Sequence, residues 1–324
     1  MSNVLVVGGA GYIGSHTCKA LHKAGYTPVT YDNLVNGYED AVQWGPLEKG
    51  DLLDAGRLDA VMARYKPVCV IHFAAFAYVG ESVLDPAKYY GNNITGSLSL
   101  LDAMRRNGID SIVFSSTCAT YGEVDTLPIV ETLPQNPVSP YGFSKLVVEN
   151  ALRDYGRAYG LKWVAMRYFN AAGLDPEGDL GGRHDPETRV IPVAIMAAMR
   201  QTGFEVFGTD FDTPDGTAIR DYIHVCDLAD AHVRAIPYLQ GGGESTAFNL
   251  ATGRGISVRE ILAAVEKAVG APVPANYVPR RAGDVPILYA TGEKAREVLG
   301  WVPQYTDIDF IVKTAADWLR RHHN

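Results

Sequence analysis

The sequence has few cysteines and no excess of positive charge. Its four cysteines, Cys18, Cys69, Cys118 and Cys226, form neither a C-x-x-C pair nor a metal-ligand spacing, which predicts reduced thiols in a cytoplasmic protein and no metal site. The 29 lysines and arginines are outnumbered by 37 aspartates and glutamates, and the formal net charge is −8. That balance argues against general binding to nucleic acid or to an anionic membrane, so any phosphate site requires a local concentration of arginine.

Long hydrophobic runs are also missing. No stretch approaches the ~20 apolar residues of a membrane span, and the N-terminal apolar run is too short and too glycine-rich for a signal peptide. The 324 residues are nevertheless 47% apolar. This is enough for a sizeable core in one large or two moderate domains of a globular protein.

A glycine-rich turn lies near the start of the chain. The aliphatic run Val4–Val7 predicts a strand buried on both faces, and Gly8, Gly11 and Gly14 then follow before a predicted helix from about 12 to 24. The spacing is typical of a turn that places a pyrophosphate on a helix N-terminus. Alone it is weak, because any sharp strand-to-helix turn uses one or two glycines.

An acid at the end of the next predicted strand strengthens the assignment. Asp32 closes the run 27–32, roughly 20 residues beyond the glycines, where its carboxylate can accept both ribose hydroxyls of an adenosine. No arginine follows it closely, and the carboxylate would repel a 2′-phosphate. The sequence therefore predicts NAD rather than NADP as the cofactor.

Strand-like and helix-like segments alternate through the first half of the chain, which predicts an α/β fold with a doubly wound parallel sheet of six or seven strands. Beyond Asn170 a polar, loop-rich stretch indicates a smaller C-terminal substrate domain. We expect a Rossmann domain at 1–170 and 221–252, and the second, smaller domain at 171–220 and 253–324.

Two predicted segments leave alternatives open, and a third does not. Asp51, at the end of a short strand predicted at 48–51, either faces the ligand crevice or caps the helix that starts near residue 54. Asn92 and Asn93 lie inside a helix predicted from 85 to 107, either with a functional role or with one buried amide bridging to a loop. His72 is predicted to be a core histidine.

The spacing of Tyr141 and Lys145 indicates acid–base chemistry. They lie one turn apart on a helix predicted from Ser139 to about Tyr159, and Thr117 follows the fifth predicted strand. A cation about 5 Å from a phenol contributes roughly 3 kcal/mol, or about two pKa units. Tyr141 could then act as a general base near neutral pH while Thr117 binds the same substrate oxygen.

Over nearly its full length the chain resembles the extended short-chain dehydrogenase/reductases and, within them, the UDP-glucose 4-epimerase family. The matching motifs are Gly8-Gly-Ala-Gly-Tyr-Ile-Gly-Ser-His16, Asp32-Asn-Leu34, Val79-Gly-Glu-Ser82, Tyr89-Tyr-Gly-Asn-Asn93, Tyr141-Gly-Phe-Ser-Lys145, Arg167-Tyr-Phe-Asn170, Arg220-Asp-Tyr-Ile-His-Val225 and Arg280-Arg-Ala-Gly-Asp284. The resemblance implies interconversion of UDP-glucose and UDP-galactose through a 4-keto sugar, with Thr117, Tyr141 and Lys145 as catalytic residues. It also implies a homodimer joined through the helices that contain Asn92 and Lys145.

The resemblance further implies two sets of binding residues. Those expected to bind NAD are Gly8, Gly11, Tyr12, Ile13, Gly14, Asp32, Asn33, Leu34, Asn36, Gly37, Asp51, Leu52, Phe73, Ala74, Ala75, Asn92, Ser115, Tyr141, Lys145 and Phe169. Those expected to bind the UDP-sugar are Thr117, Tyr141, Asn170, Arg189, Val190, Val206, Phe207, Arg220, Arg281, Asp284 and Leu288.

Several of these positions leave questions open. Arg220 and Arg281 together suit a UDP pyrophosphate, although either alone could be a surface arginine. Ala77 stands where some family members carry a lysine that contacts the cofactor. Arg189 replaces an amide or histidine and is either a substrate contact or a solvated charge. Leu288, smaller than a tyrosine but larger than a serine, is expected to disfavour N-acetylhexosamines.

Three other functions are weighed against this one. A 4,6-dehydratase would need an acid pair after Thr117, where this chain has Cys118 and Ala119. An NAD-sensing regulator without catalysis would not need Thr117, Tyr141 and Lys145 together. The residues 76–80 and 117–121 also resemble epimerases that act on UDP-xylose and UDP-arabinose, which makes a pentose epimerase the nearest alternative.

Overall fold

We describe the fold from a computed structural model, for residues 1–280 and 284–322. The strands are β1 Asn3–Val7, β2 Thr27–Asp32, β3 Leu47–Lys49, β4 Cys69–His72, β5 Ser111–Ser115, β6 Lys162–Arg167, β7 Asn170–Ala172, β8 Phe204–Phe207, β9 Ile219–Arg220, β10 Tyr222–His224, β11 Thr246–Asn249, β12 Ile256–Ser257, β13 Ala275–Val278 and β14 Ile287–Leu288. The α-helices are α1 Tyr12–Lys23, α2 Ala55–Tyr65, α3 Val79–Leu84, α4 Pro86–Tyr89, α5 Gly96–Arg106, α6 Pro140–Tyr159, α7 Val190–Arg200, α8 Val225–Gln240, α9 Val258–Val269, α10 Glu293–Leu299 and α11 Ile308–His322.

The central sheet has seven strands in the order β11-β6-β5-β4-β1-β2-β3, and every neighbouring pair is parallel. Helices cover both faces, so the aliphatic run Val4–Val7 is almost fully buried. The strand order reverses between β1 and β4, which opens a crevice at the carboxyl ends of these strands. The predicted doubly wound parallel sheet is confirmed.

Helix α6 begins and ends where the sequence indicates. The Ser139 hydroxyl accepts a hydrogen bond from the Gly142 N–H at 3.1 Å, and Pro140 occupies the first turn. The helix ends at Gly160, whose φ of 75° lies in the left-handed region. These caps explain why its predicted range from Ser139 to about Tyr159 is confirmed.

The helix predicted from 85 to 107 is interrupted. A π-helical turn at Tyr90–Thr95 separates α4 from α5. In this turn the buried Asn93 side chain accepts from the Phe76 N–H at 2.9 Å and donates to the Phe76 carbonyl at 3.0 Å. The bridging alternative is therefore confirmed for Asn93, and the wider turn aims its amide at the loop after β4.

A second hydrophobic core lies apart from the sheet. Helices α7, α9 and α11 enclose it, with buried residues that include Ile191, Ile195, Ile261, Val265, Ile311 and Ala315. Helix α9 starts with a capping box between Ser257 and Glu260. The last sheet strand, β11, comes from the segment after α8, as expected for 247–253. The division into two domains at the stated boundaries stays a prediction.

Candidate active site

The glycine turn after β1 is shaped by close backbone contacts. Gly8 has φ of +83°, and a Cβ there would lie 2.5 Å from the Ala74 nitrogen. A Cβ on Gly14 would lie 2.2 Å from the Gly8 carbonyl oxygen. At Gly11, which precedes α1, no side chain caps the helix. The first N–H groups of α1 are therefore available to a diphosphate, and the turn fits a dinucleotide.

Asp32 lies beside this turn and is only 7% exposed. One carboxylate oxygen accepts from the Ala10 N–H at 3.0 Å and the other from the Leu34 N–H at 2.8 Å. Burial raises the pKa of Asp32, and the two backbone hydrogen bonds oppose that shift. Each oxygen keeps a further lone pair, so the carboxylate can still accept ribose hydroxyls.

The two interpretations of Asp51 are separated by its hydrogen bonds. Asp54, not Asp51, caps α2 by accepting from the Arg57 N–H at 2.9 Å, so the capping interpretation of Asp51 is wrong. The Asp51 carboxylate instead accepts from the Leu53 N–H at 2.9 Å and from the Asn33 amide at 2.8 Å. It lies past the end of β3, at the crevice edge beside the loop that follows Asp32.

Tyr141, Thr117 and Lys145 come together past the end of β5. The Tyr141 phenol is hydrogen-bonded to the Thr117 hydroxyl. The Lys145 ammonium donates to the Ser115 carbonyl at 2.8 Å and lies 4.8 Å from the centre of the Phe114 ring. Three side chains that can bind one substrate oxygen and move its proton are therefore held by one strand end and one helix.

Burial controls the titration of this group. Burial raises the pKa of Tyr141 to about 12, although the Thr117 hydrogen bond opposes the shift, and burial lowers the pKa of Lys145 to about 7. The expected lowering of the phenol pKa by Lys145 is therefore wrong for the protein alone. An amine of pKa near 7 is only partly charged at neutral pH, and desolvation of the phenolate exceeds what it offers.

Several other predicted cofactor residues follow the carboxyl ends of the central strands. Phe73 follows β4, and its ring lies 4.7 Å from that of His232, while the Ala74 N–H donates to the Val7 carbonyl at 3.0 Å. The Ser115 hydroxyl lies 2.6 Å from the Tyr168 hydroxyl. Ala75, Asn92, Leu34 and Phe169 are half-buried here, and Asn36 is exposed. His72 is 1% exposed and contacts the Ser97 hydroxyl at 2.8 Å, which confirms it as a core histidine.

Arg220 and Leu288 adjoin each other among the predicted substrate residues. They are register partners of the parallel strands β9 and β14. Leu288 and Phe169 both pack against the small buried cluster that contains Cys118. Asn170 donates its amide to the Asp221 carbonyl at 3.1 Å. Leu288 and Phe169 therefore pack against a cluster that includes Cys118, the chain neighbour of Thr117.

Other predicted substrate residues lie further from this group. Arg189 is not a solvated charge: its side chain is 22% exposed, pairs with Glu187 at 2.5 Å and lies 4.7 Å above the Tyr12 ring. The alternative of a solvated charge is therefore wrong. The side chains of Val190 and Val206 pack in the second core, so Val206, 1% exposed, can offer a ligand only its backbone. Phe207 and Asp284 are half-buried, and Arg281 lies outside the described residues.

Comparison with known proteins identifies the family. A family profile matches residues 4–251, which include the glycine turn, Asp32, Thr117, Tyr141 and Lys145. The chain belongs to the NAD dependent epimerase/dehydratase family. Within this family it is 57% identical to a UDP-glucose 4-epimerase of Rhizobium meliloti, over 99% of this chain and 98% of that relative.

Solved structures of the family agree closely with the fold. A UDP-glucose 4-epimerase from Brucella ovis in complex with NAD matches with a TM-score of 0.96 at 56% identity, over 98% of each chain. A UDP-glucose 4-epimerase from Stenotrophomonas maltophila with bound NAD and formylated UDP-arabinopyranose matches with a TM-score of 0.96 at 37% identity, over 100% of this chain and 99% of that one.

The sequence analysis missed an acid on the catalytic helix. Glu149 is fully buried, accepts from the Ser116 hydroxyl at 2.5 Å and pairs with Arg167 at 2.5 Å. Ser116 precedes Thr117, so this ion pair holds the strand end next to the hydroxyl that is predicted to be catalytic. The signal was present in the sequence: Glu149 continues the four-residue spacing of Tyr141 and Lys145 on one helical face.

Proposed function

We propose that this chain interconverts UDP-glucose and UDP-galactose by NAD-dependent 4-epimerisation through a 4-keto sugar. The hydrogen-bonded pair of Tyr141 and Thr117 carries the proposal, because it lies beside Lys145 at the same sheet edge as the glycine turn and Asp32. The near full-length similarity to UDP-glucose 4-epimerases supports the same activity. The reaction needs no net oxidation, so one bound cofactor suffices for many turnovers.

The chain's own residues have separable tasks. Tyr141 removes the proton from the sugar 4-hydroxyl and later returns it, while Thr117 orients the same oxygen. Lys145 stabilises the phenolate that forms, and its bond to the Ser115 carbonyl fixes the position of the ammonium. When bound, NAD would accept and return the hydride at C4, and its oxidised nicotinamide would add a positive charge to the site. That second charge is what the buried phenol, with a pKa of about 12, requires.

A pentose is the second candidate substrate. The Stenotrophomonas relative holds formylated UDP-arabinopyranose, and a pentose differs from a hexose in lacking the 5-hydroxymethyl group. The half-buried Leu288 limits the space in which the keto sugar turns, and a smaller sugar avoids that contact. We therefore include activity on UDP-xylose and UDP-arabinose in the proposal. Neither Cys118 nor Ala119 can supply the acid of a 4,6-dehydratase.

We also propose a homodimer, two domains and a cytoplasmic location. Apolar side chains of α3 and α6 lie exposed on one side of the chain: Val79 is 49% exposed, Val83 61%, Leu84 88% and Phe143 45%. Such a patch is typical of a protein interface. The four free cysteines suit a reducing compartment. Within the described residues, no helix has the length and apolar character needed to cross a membrane.

The test is direct. The purified protein is incubated with UDP-galactose and no added NAD, and we expect UDP-glucose to form, because the cofactor is regenerated in each turnover. Tyr141→Phe should retain NAD but lose roughly 10²-fold or more in kcat, since the proton acceptor is gone while the ring still packs. Tyr159→Phe, on the exposed end of the same helix, is the matched control and should be unchanged.

Two results would contradict the proposal. Failure of the wild-type protein to interconvert the two sugars, with NAD bound, would exclude this reaction. Near-normal turnover of Tyr141→Phe would exclude Tyr141 as the base while leaving the reaction itself in place.

A further inference from the structure

A cationic recess lies away from the sheet end that carries the catalytic group. It has a volume of about 640 Å³ and is bounded by the last turns of α6, the start of β6, the edge strand β11 and the start of α10. Its charged lining consists of Arg153, Arg157, Lys162, Arg167, Lys294 and Glu131. None of the residues predicted to bind NAD or the UDP-sugar lines it, so it is a separate feature of the molecule.

The recess concentrates positive charge in an acidic protein. Five cations and one carboxylate line it, in a chain of net charge −8. Two further carboxylates act from outside: Glu149 pairs with Arg167 at 2.5 Å and with Arg153 at 3.4 Å, and Asp110 pairs with Lys162 at 3.2 Å. Glu244 also acts on Lys294, and with these four carboxylates counted the five cations remain in excess by one.

Two of the cations are not neutralised by an ion pair. Among the described residues, Arg157 is exposed and has no hydrogen-bond or ion-pair partner. The Lys294 ammonium donates to neutral oxygens, the Thr246 hydroxyl at 2.6 Å and the Ala247 carbonyl at 2.9 Å. Burial, together with the nearby Arg167 cation, lowers the pKa of Lys294, although Glu131 opposes the shift. An anion in the recess would relieve that cost.

We propose that the recess binds a small molecule with two or more phosphate groups. Guanidinium forks match phosphate oxygens bidentately, and the Arg153 and Arg157 side chains, one turn apart on α6, offer two of them. The lysines supply point charges, and the neighbouring hydroxyls of Ser245 and Thr246 supply neutral donors. Arg167 is already paired with Glu149. We therefore assign binding to the other four cations, which we call the rim of the recess: Arg153, Arg157, Lys162 and Lys294.

The size of the recess favours a ligand larger than a single phosphate. Sites for small molecules commonly enclose about 300–1,000 Å³, and the recess lies within that range. A diphosphate carries more charge and more acceptor oxygens than one phosphate group, so it can contact more of the cations that line the recess.

Inorganic pyrophosphate is the probe for this site. It is titrated calorimetrically into the NAD-loaded protein in the presence of saturating UDP, which blocks the nucleotide-sugar site. We expect one saturable site per chain, with an affinity that falls as salt is added, because the rim charges are exposed. Arg157→Ala should weaken binding about tenfold, as for the loss of one charge-assisted hydrogen bond, and Arg157→Glu should abolish it.

The matched control is Arg200→Ala. Arg200 is also an exposed arginine in the last turn of a helix, but it lies on α7, away from the recess. It should leave pyrophosphate binding within twofold of the wild type, and all three variants should keep normal epimerase turnover. No saturable binding in the presence of UDP would overturn the proposal. Undiminished binding in Arg157→Glu, or equal losses in Arg157→Ala and Arg200→Ala, would overturn it as well.

Discussion

Asp221 is a buried acid next to the predicted pyrophosphate ligand Arg220. It is 0% exposed, and one carboxylate oxygen accepts from the Thr252 hydroxyl at 2.8 Å and from the Thr252 N–H at 3.2 Å. Its backbone carbonyl also accepts from Asn170. Burial raises the pKa of Asp221 to about 6, and the Thr252 hydrogen bonds oppose that shift. Asp221 thus links its own segment to those of Asn170 and Thr252. Burying its ionised carboxylate lowers the stability of the fold, and the size of this loss depends on pH.

Asp221→Asn should show how much stability the buried, ionised carboxylate removes. The native state holds the proton more tightly than the unfolded chain, so the wild type loses stability as pH rises from about 4 through about 6. The neutral amide lacks this dependence, and we expect it to be more stable than the wild type by about 1–3 kcal/mol at pH 7.5, with no advantage near pH 4. Denaturant unfolding at both pH values measures the difference. Asp154→Asn, at an exposed site, is the control, and a pH-independent difference for Asp221→Asn would contradict the assignment.

We expect Leu288 to limit the size of sugar that can turn. It packs against the cluster that contains Cys118, and we propose that an N-acetyl arm on C2 would meet it during rotation of the keto sugar. Crowding of this kind costs ~1–3 kcal/mol, which slows UDP-N-acetylhexosamines about ten- to a hundredfold relative to hexoses. Leu288→Ser should accelerate them. Values of kcat/KM for hexose, N-acetylhexosamine and pentose pairs test this: equal values for the first two on the wild type would refute the size argument.

At the scale of whole elements, the sequence predicted what local chemistry determines. Ser139, Pro140 and Gly160 mark the ends of α6 by local chemistry, and the run Val4–Val7 indicated the buried strand that is found. The π-helical turn could not be predicted, because its cause is a contact between Asn93 and Phe76, 17 residues away. The short helix α3 was also missed, because no side chain caps its start and so no local signal marks it in the sequence.

The candidate site was predictable in its residues but not in its electrostatics. Spacing along one helix identified Tyr141 and Lys145, whereas the degree to which both are enclosed depends on elements from distant parts of the chain. Burial is what moves their pKa values to about 12 and about 7. A sequence shows that two groups are neighbours, but not how much water they lose.

The π-helical turn should depend on Asn93. Asn93→Ala would leave the part-buried N–H and carbonyl of Phe76 without their partner, so we expect a loss of about 1–3 kcal/mol in the free energy of unfolding. Denaturant unfolding measures this loss. Ser144→Ala removes another hydrogen bond of Asn93, of 3.1 Å, without exposing that backbone pair, and should cost less than half as much. Equal costs for the two variants would show that the bridge to Phe76 is not what holds the turn.

For the molecule as a whole, Asp32 should decide which dinucleotide is bound. Its carboxylate is held by Ala10 and Leu34, and a Cβ on Gly37 would lie 2.9 Å from one of its oxygens, so it cannot swing away from a 2′-phosphate. The isolated protein should carry NAD(H), and the apo protein should bind NADP at least tenfold more weakly than NAD. Fluorescence titration of the apo protein compares the two. Asp32→Asn should reduce the ratio of the NAD affinity to the NADP affinity. Comparable affinities in the wild type would show that Asp32 does not discriminate between the two dinucleotides.

The position of β11 has a consequence for synthesis of the chain. Six strands of the central sheet are complete once Arg167 has been made, but the seventh begins only at Thr246, after the 78 residues from 168 to 245. Until then β6 is an open edge that can pair with another nascent chain. At about 5–20 residues per second, translation leaves that edge uncovered for roughly 4–16 s. On the ribosome, the risk of aggregation therefore falls within one defined interval, and it ends when β11 is added.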